Sequence, residues 1–106
     1  MGLIVTTTGE IPGKKITKIL GLVRGNTVRS RHIGRDIMAG FKNIVGGEIK
    51  SYTELLTQAR DEAYNRMVNQ AIDLGADAVV NVRFATSNVM NAASEILAYG
   101  TAVKLS

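Results

Sequence analysis

The chain's one histidine, His32, sits in "RSRHIGRD" (residues 29–36) among three arginines and an aspartate. An imidazole in that company could ligate a metal, help hold an anion or lie in a solvated loop. Soft metals favour thiolate, thioether and imidazole ligands, and a closed site collects three or four of them. The sequence has no cysteine, one histidine and four methionines, which excludes disulfides, zinc-thiolate sites and thiol catalysis. Met1 is terminal, Met38 and Met67 take core positions of helical patterns, and Met90 falls in a loop. His32 is thus a weak metal candidate, because the positive charge of Arg31 and Arg35 disfavours a nearby cation. The stretch reads best as a junction between two elements, with Asp36 turned inward and its arginines in water.

Arg60 carries more information. In a helical projection it lies beside Tyr64 and Met67, at the margin of an apolar face, whereas the other charges of its segment point away. An arginine there needs carboxylate or carbonyl partners, since removing one partner of a buried pair costs roughly 3–5 kcal/mol. The first reading is an internal ion pair with Asp36 or Glu48; the second is an anion-binding arginine in a cleft or at a subunit junction; the third is an exposed arginine whose stem covers apolar surface. Arg60, Asp36, Tyr52 and Glu48 form the ligand-binding candidate set, with Tyr52 and Tyr99 as amphipathic aromatics each needing one hydroxyl partner. Catalysis finds little support. A serine triad would have to use His32, no "GxSxG" elbow is present, and "VGGE" lacks the lysine and hydroxyl residue of a phosphate loop. No cofactor is implied.

The elements that must position these residues follow from periodicity. Leu3 to Thr7 is a short strand, and the single proline, Pro12, marks a turn. The β-branched run from Lys15 to Ser30 is one long strand, with Gly21 and Gly25 as sites of bulge or close approach. Ile33, Ile37, Phe41 and Ile44 recur at helical spacing and define a short helix ending near Gly46. Ser51 and Glu54 fit a capping box, so the main helix runs from Tyr52 to Leu74 and stops at Gly75. Its inward face holds Leu55, Leu56, Ala59, Ala63, Met67, Ala71 and Leu74; Val68 and Ile72 lie outside it, exposed or against another subunit. Residues 79–84 alternate as a strand, 88–93 form a loop, and 96–105 alternate again, with Ala98, Gly100 and Ala102 making a face of small residues that something can approach closely.

The fold class is therefore α+β, strand-strand-helix-helix-strand-strand, one largely antiparallel sheet with the long helix on one face, in a single domain spanning 1–106. Apolar residues on both parities of the last two strands call for cover on both sides of the sheet, which association of like copies would supply.

Composition narrows the setting. Apolar residues are 45% and charged residues 21%, the balance of an ordered globular chain. No run approaches the ~18 apolar residues that span a bilayer, nor the core of a signal peptide, which reads as cytoplasmic with no membrane partner. The net charge of +4 is uneven: residues 1–42 hold eight basic and two acidic residues, residues 43–106 five and seven. Nucleic-acid binding through Arg24, Arg29, Arg31 and Arg35 remains the weakest reading, as no recognition motif or aromatic cluster accompanies the charge.

"VGG" (45–47), Tyr52, "LLTQAR" (55–60), "LGADAVVNV" (74–82) and "YGTAVK" (99–104) together resemble the YbjQ-like family of uncharacterised bacterial proteins, over nearly the whole chain and in the family's order. That family carries a heavy-metal-binding label, and its members share a βαββ core similar to dodecin subunits and assemble into pentameric rings. The resemblance implies a homo-oligomer, a pentamer or a multiple of one. The expected role is that of a non-enzymatic, ring-forming small domain binding a small anion or ion at subunit interfaces. The alternatives are a small enzyme with an inter-subunit site for an anionic substrate, and the heavy-metal binding of the family label.

Overall fold

The computed structural model describes residues 2–30, 50–90 and 93–106, with the backbone alone at 30, 50–52, 89, 90 and 93. Its elements are β1 (Ile4–Val5), β2 (Ile16–Ser30), α1 (Lys50–Asp73), β3 (Ala78–Met90) and β4 (Ala93–Leu105). The four strands form one sheet in the order β1-β3-β4-β2, antiparallel except for the β1/β3 pair. The architecture is the α+β arrangement expected, with α1 packed on one face. The short helix anticipated over residues 33–46 lies outside the described residues, as does the junction over 31–36.

Small residues decide how α1 meets the sheet. Ala59, Ala63, Met67 and Ala71 are fully buried against Val23, Ala98 and Ala102, so the small-residue face of β4 does receive the helix. At Gly25 the approach is closest: a Cβ there would run into the Ala63 carbonyl oxygen, and would stand 2.5 Å from the Met67 amide nitrogen and 2.6 Å from Arg66 Cβ. The helix ends as its sequence demands. Gly75 takes φ 79°, its N–H bonds to the Ile72 carbonyl at 2.9 Å and that of Ala76 to the Ala71 carbonyl at 3.1 Å, the paired bonds that satisfy carbonyls left open at a helix C-terminus.

Three expectations need correction. Ser51 lies inside α1 rather than at its cap. Leu74 falls just beyond the helix and is 47% exposed, whereas Val68 leans on the core and only Ile72 is left in water. The loop expected over 88–93 is largely strand: β3 continues to Met90 and β4 begins at Ala93, because Ser94 to Leu97 find partners in Asn88 to Ala85 across the hairpin.

The apolar residues of both parities in β3 have a local explanation. Asn81 adopts φ 55°, and the β3/β4 register shifts between Val80 and Arg83. This inserted residue changes phase, so that Val79 and Val82 both face α1 although three positions apart. Val80, Ala78 and Val103 face the other way, where Ile4, Ile11, Ile16 and Leu105 cover them. One end of the second face is thus shielded by the chain's own N-terminal segment, which is stitched down by Asn81 N–H to the Thr8 carbonyl (2.9 Å) and Val82 N–H to the Thr6 carbonyl (3.0 Å). A left-handed backbone costs a side chain bearing Cβ roughly 1–2 kcal/mol, with asparagine among the better tolerated. Asn81→Val should therefore lower stability by about 1–2 kcal/mol in urea titrations while Asn81→Gly leaves it unchanged or raised.

Beyond that shielded end the second face is open. Register places Ile19, Leu22 and Val28 of β2 on it, at 69%, 63% and 52% exposure. The molecule is elongated, 55 × 26 × 20 Å with a radius of gyration of 17.2 Å, against about 13 Å for a compact domain of this length.

Candidate functional site

Arg60 is exposed on α1, not set at the margin of the core. The buried positions 59, 63, 67 and 71 recur every four residues, so the buried stripe winds round α1, and at the level of Arg60 it lies at Ala59 and Ala63. Tyr52 occupies the first turns of the same helix, eight residues or about 12 Å of rise before Arg60. Asp36, Glu48 and His32 lie outside the described residues, so the described structure does not bring the candidate set together.

It does assemble three other polar groupings. At the margin between α1 and β2, Glu62 accepts hydrogen bonds from Arg29 and, at 2.6 Å, from Arg66. The bond from Arg29 is the main reason the Glu62 carboxyl lies below its ordinary range, with the Arg66 charge adding to it. Arg66 also donates to the Asn26 carbonyl, and Gln70 accepts the Arg24 N–H at 2.7 Å, so helix side chains occupy main-chain groups along the outer border of β2.

The second grouping joins the chain ends. Asp77 accepts the Leu105 N–H at 2.9 Å and Lys104 Nζ at 3.2 Å, while Lys104 also donates to the Gly75 carbonyl. It borders a shallow cleft of about 360 Å³ lined by Leu3, Ile4, Lys14 and Ala76. The backbone bond from Leu105 is the largest cause, and Lys104 the next, of an Asp77 carboxyl depressed below its ordinary value of 3.8. A depressed carboxyl favours the fold above its unfolded-state pKa and loses that contribution as pH falls through the folded one. Stability should therefore decline below about pH 4, and Asp77→Asn should flatten that acid limb in pH-dependent thermal melts.

The third lies on the open face. Tyr99 of β4 is registered opposite Arg24 of β2 on one side and Arg83 of β3 on the other. Each of the three alternates with residues buried against α1: Val23 and Gly25, Ala98 and Gly100, and Val82. All three side chains therefore project from the same face. Arg83 is anchored by Nη1, which donates at 2.8 Å to the Thr7 and Val82 carbonyls. Among the described residues neither guanidinium meets a carboxylate and the Tyr99 hydroxyl has no hydrogen-bond partner. The sequence pattern places Arg24 only in a basic cluster with Arg29, Arg31 and Arg35, and singles out nothing at Arg83. Only the strand register, which links positions 24, 83 and 99, exposes the row.

A family model described as "Putative heavy-metal-binding", YbjQ, matches residues 3–106. The chain belongs to the YbjQ family. It is similar to a UPF0145 protein of Methanoculleus marisnigri, 65% identical over 103 residues covering 97% of this chain and 96% of that one. A UPF0145 protein of Archaeoglobus fulgidus is 62% identical, covering 97% and 95%, and UPF0145 protein PBPRB0184 of Photobacterium profundum is 62% identical, covering 97% and 100%. A crystal structure from Pediococcus pentosaceus, of a protein with unknown function in the DUF74 family, superposes with a TM-score of 0.65 over the whole of both chains at 20% identity, which speaks to the fold.

The metal named in the YbjQ description finds no donor set in the described residues. No group of three His, Cys, Asp or Glu side chains is gathered there. Two of the described carboxylates, Glu62 and Asp77, are already engaged by Arg29, Arg66 and Lys104. Among the described residues no helix is long and apolar enough to cross a membrane.

Proposed function

We propose that this YbjQ-family chain is a non-enzymatic, cytoplasmic, single-domain building block of a homo-oligomeric ring that carries a small-anion site on its sheet. The observation that carries the reading is the line of Ile19, Leu22 and Val28 on the outer side of β2, each more than half exposed. Scattered apolar side chains on a surface are ordinary, but three large ones on one face of a single strand, with Arg24 and Asn26 between Leu22 and Val28, support an interaction surface. The elongated shape supports the same reading, since a slender sheet leaves much of its area to be covered by neighbours. A cyclic assembly joins one patch to a different patch on the next copy and closes when the rotation permits. Nothing in the described residues supplies a nucleophile with its base, which favours a binding module over an enzyme.

Native mass spectrometry and multi-angle light scattering test the assembly. The expected result is a discrete species of five chains or a multiple of five at micromolar concentration. A monomer throughout that range would remove the reading.

A further inference from the structure

We infer that the row Arg24–Tyr99–Arg83 on the open face of the sheet binds a phosphate-bearing small molecule, with the two guanidiniums holding the phosphate above the Tyr99 hydroxyl. The inference deepens the small-anion part of the proposed function, yet the row is complete within one chain and does not need the assembly.

Strand register supplies the geometry. Neighbouring strands lie about 4.8 Å apart, so Arg24 and Arg83 flank Tyr99 across roughly 10 Å, a gap that two arginine side chains can close from opposite sides. The Nη1 bonds to the Thr7 and Val82 carbonyls fix Arg83 and leave its Nη2 and Nε without a partner among the described residues. Arg24 is exposed, and its side chain has no partner among them. Glu95, a carboxylate on this face, is registered with Val28 and accepts a hydrogen bond from Asn26 Nδ2 at 3.0 Å. Stacking of either guanidinium on the Tyr99 ring would leave the N–H groups in the guanidinium plane free to donate.

Chemistry selects the ligand. Two forks of N–H donors on one face, on strands either side of an aromatic hydroxyl, suit a tetrahedral dianion, whose oxygens can be shared between them. A single planar carboxylate is satisfied by one guanidinium. On the adjoining rows, Leu22 and Thr101 lie to one side and Asn26, Leu97 and Ala85 to the other, which gives the organic remainder an apolar surface to rest on.

Isothermal titration calorimetry at low ionic strength, with pyrophosphate and a nucleoside monophosphate as probes, tests the site on the full chain. Saturable binding is expected, at least tenfold weaker in Arg24→Gln and unchanged in Arg60→Gln, which removes the same charge from α1. Arg24→Lys should recover only part of the affinity, because a point charge replaces a fork. Arg83→Gln should also weaken binding, its fold checked by thermal melting because Arg83 anchors the N-terminal segment. No saturable heat, or an equal loss in Arg60→Gln, overturns the proposal. So does tight binding of a single-stranded oligonucleotide with a steep salt dependence that exceeds binding of the small probes. Light scattering on the same samples separates the two readings: a monomer that binds phosphate sinks the ring and keeps the site, and a ring that ignores phosphate does the reverse.

Discussion

Gly25→Ala is expected to lower the stability of the fold by about 3 kcal/mol, at the upper end of the usual cost of overpacking. The added methyl group would meet main chain, not a movable side-chain tip: the Ala63 carbonyl, the Met67 amide at 2.5 Å and Arg66 Cβ at 2.6 Å. Helix backbone cannot shift locally without loosening the neighbouring contacts, in which Ala59, Ala63, Met67 and Ala71 are wholly buried. The most direct response is for α1 to lift away from β2, which would also strain the Thr27 hydroxyl bond to the Ala59 carbonyl at 3.0 Å. Urea denaturation followed by circular dichroism reads the effect as a lower midpoint. Gly100→Ala offers a comparison, since its Cβ would meet Val79 Cγ1 at 2.7 Å, the Val80 carbonyl oxygen at 3.0 Å and Val82 Cγ2 at 3.1 Å, so the tightest contact there is a side-chain atom. A smaller loss there than at Gly25 would confirm that the helix seam is the less forgiving contact. A Gly25→Ala protein as stable as the parent would mean that α1 does not pack so tightly.

The double substitution Leu22→Glu and Val28→Glu is expected to disperse the proposed ring into single chains without unfolding them. Both side chains are more than half exposed in the isolated chain, so their loss costs the monomer little, within about 0.5 kcal/mol for ordinary surface changes. Two carboxylates per copy would have to be desolvated in any contact made by this face, and an uncompensated buried charge is far more costly than a lost methyl contact. Light scattering should fall to the mass of one chain with an unchanged circular dichroism spectrum. Persistence of the oligomer would move the contact elsewhere, with the exposed Ile72 and Leu74 at the end of α1 as the next surface to test.

Much of the architecture could be read from residue pattern. β2 was anticipated to within one residue of its start, α1 to within two at its beginning and one at its end, and Gly75 as its stop. The small residues of β4 announced a close neighbour, and the neighbour is α1. What periodicity could not show was the phase change at Asn81, because an alternating pattern with one inserted residue looks like apolar residues on both faces. That ambiguity inflated the apparent need for a partner. Part of the supposed surplus, Val80 and Val103, is covered by Ile4, Ile11 and Ile16 from the same chain. The large apolar side chains left open on the second face lie on β2, at Ile19, Leu22 and Val28.

The candidate site was less legible for a related reason. A helical projection sums the whole helix into one wheel, whereas the buried stripe of α1 recurs every four residues and winds round the axis. Arg60 shares its angle with Met67 and Ala71 further along, but at its own level the stripe lies at Ala59 and Ala63, and Arg60 emerges into water. Arg24, Tyr99 and Arg83 come from three strands, and local spacing holds no record of which positions on separate strands stand side by side.

The side chains of Arg66 and Gln70 have one more effect, on how this molecule can grow. They plug the carbonyl of Asn26 and the amide of Arg24, the docking slots that a foreign ribbon would need at the middle of that margin. Lateral recruitment of misfolded neighbours there would first have to evict two helix side chains, a barrier against fibrous polymerisation. Edge-to-edge addition of a strand at this margin is thus disfavoured, which leaves the open face of the sheet as the freer surface for contact.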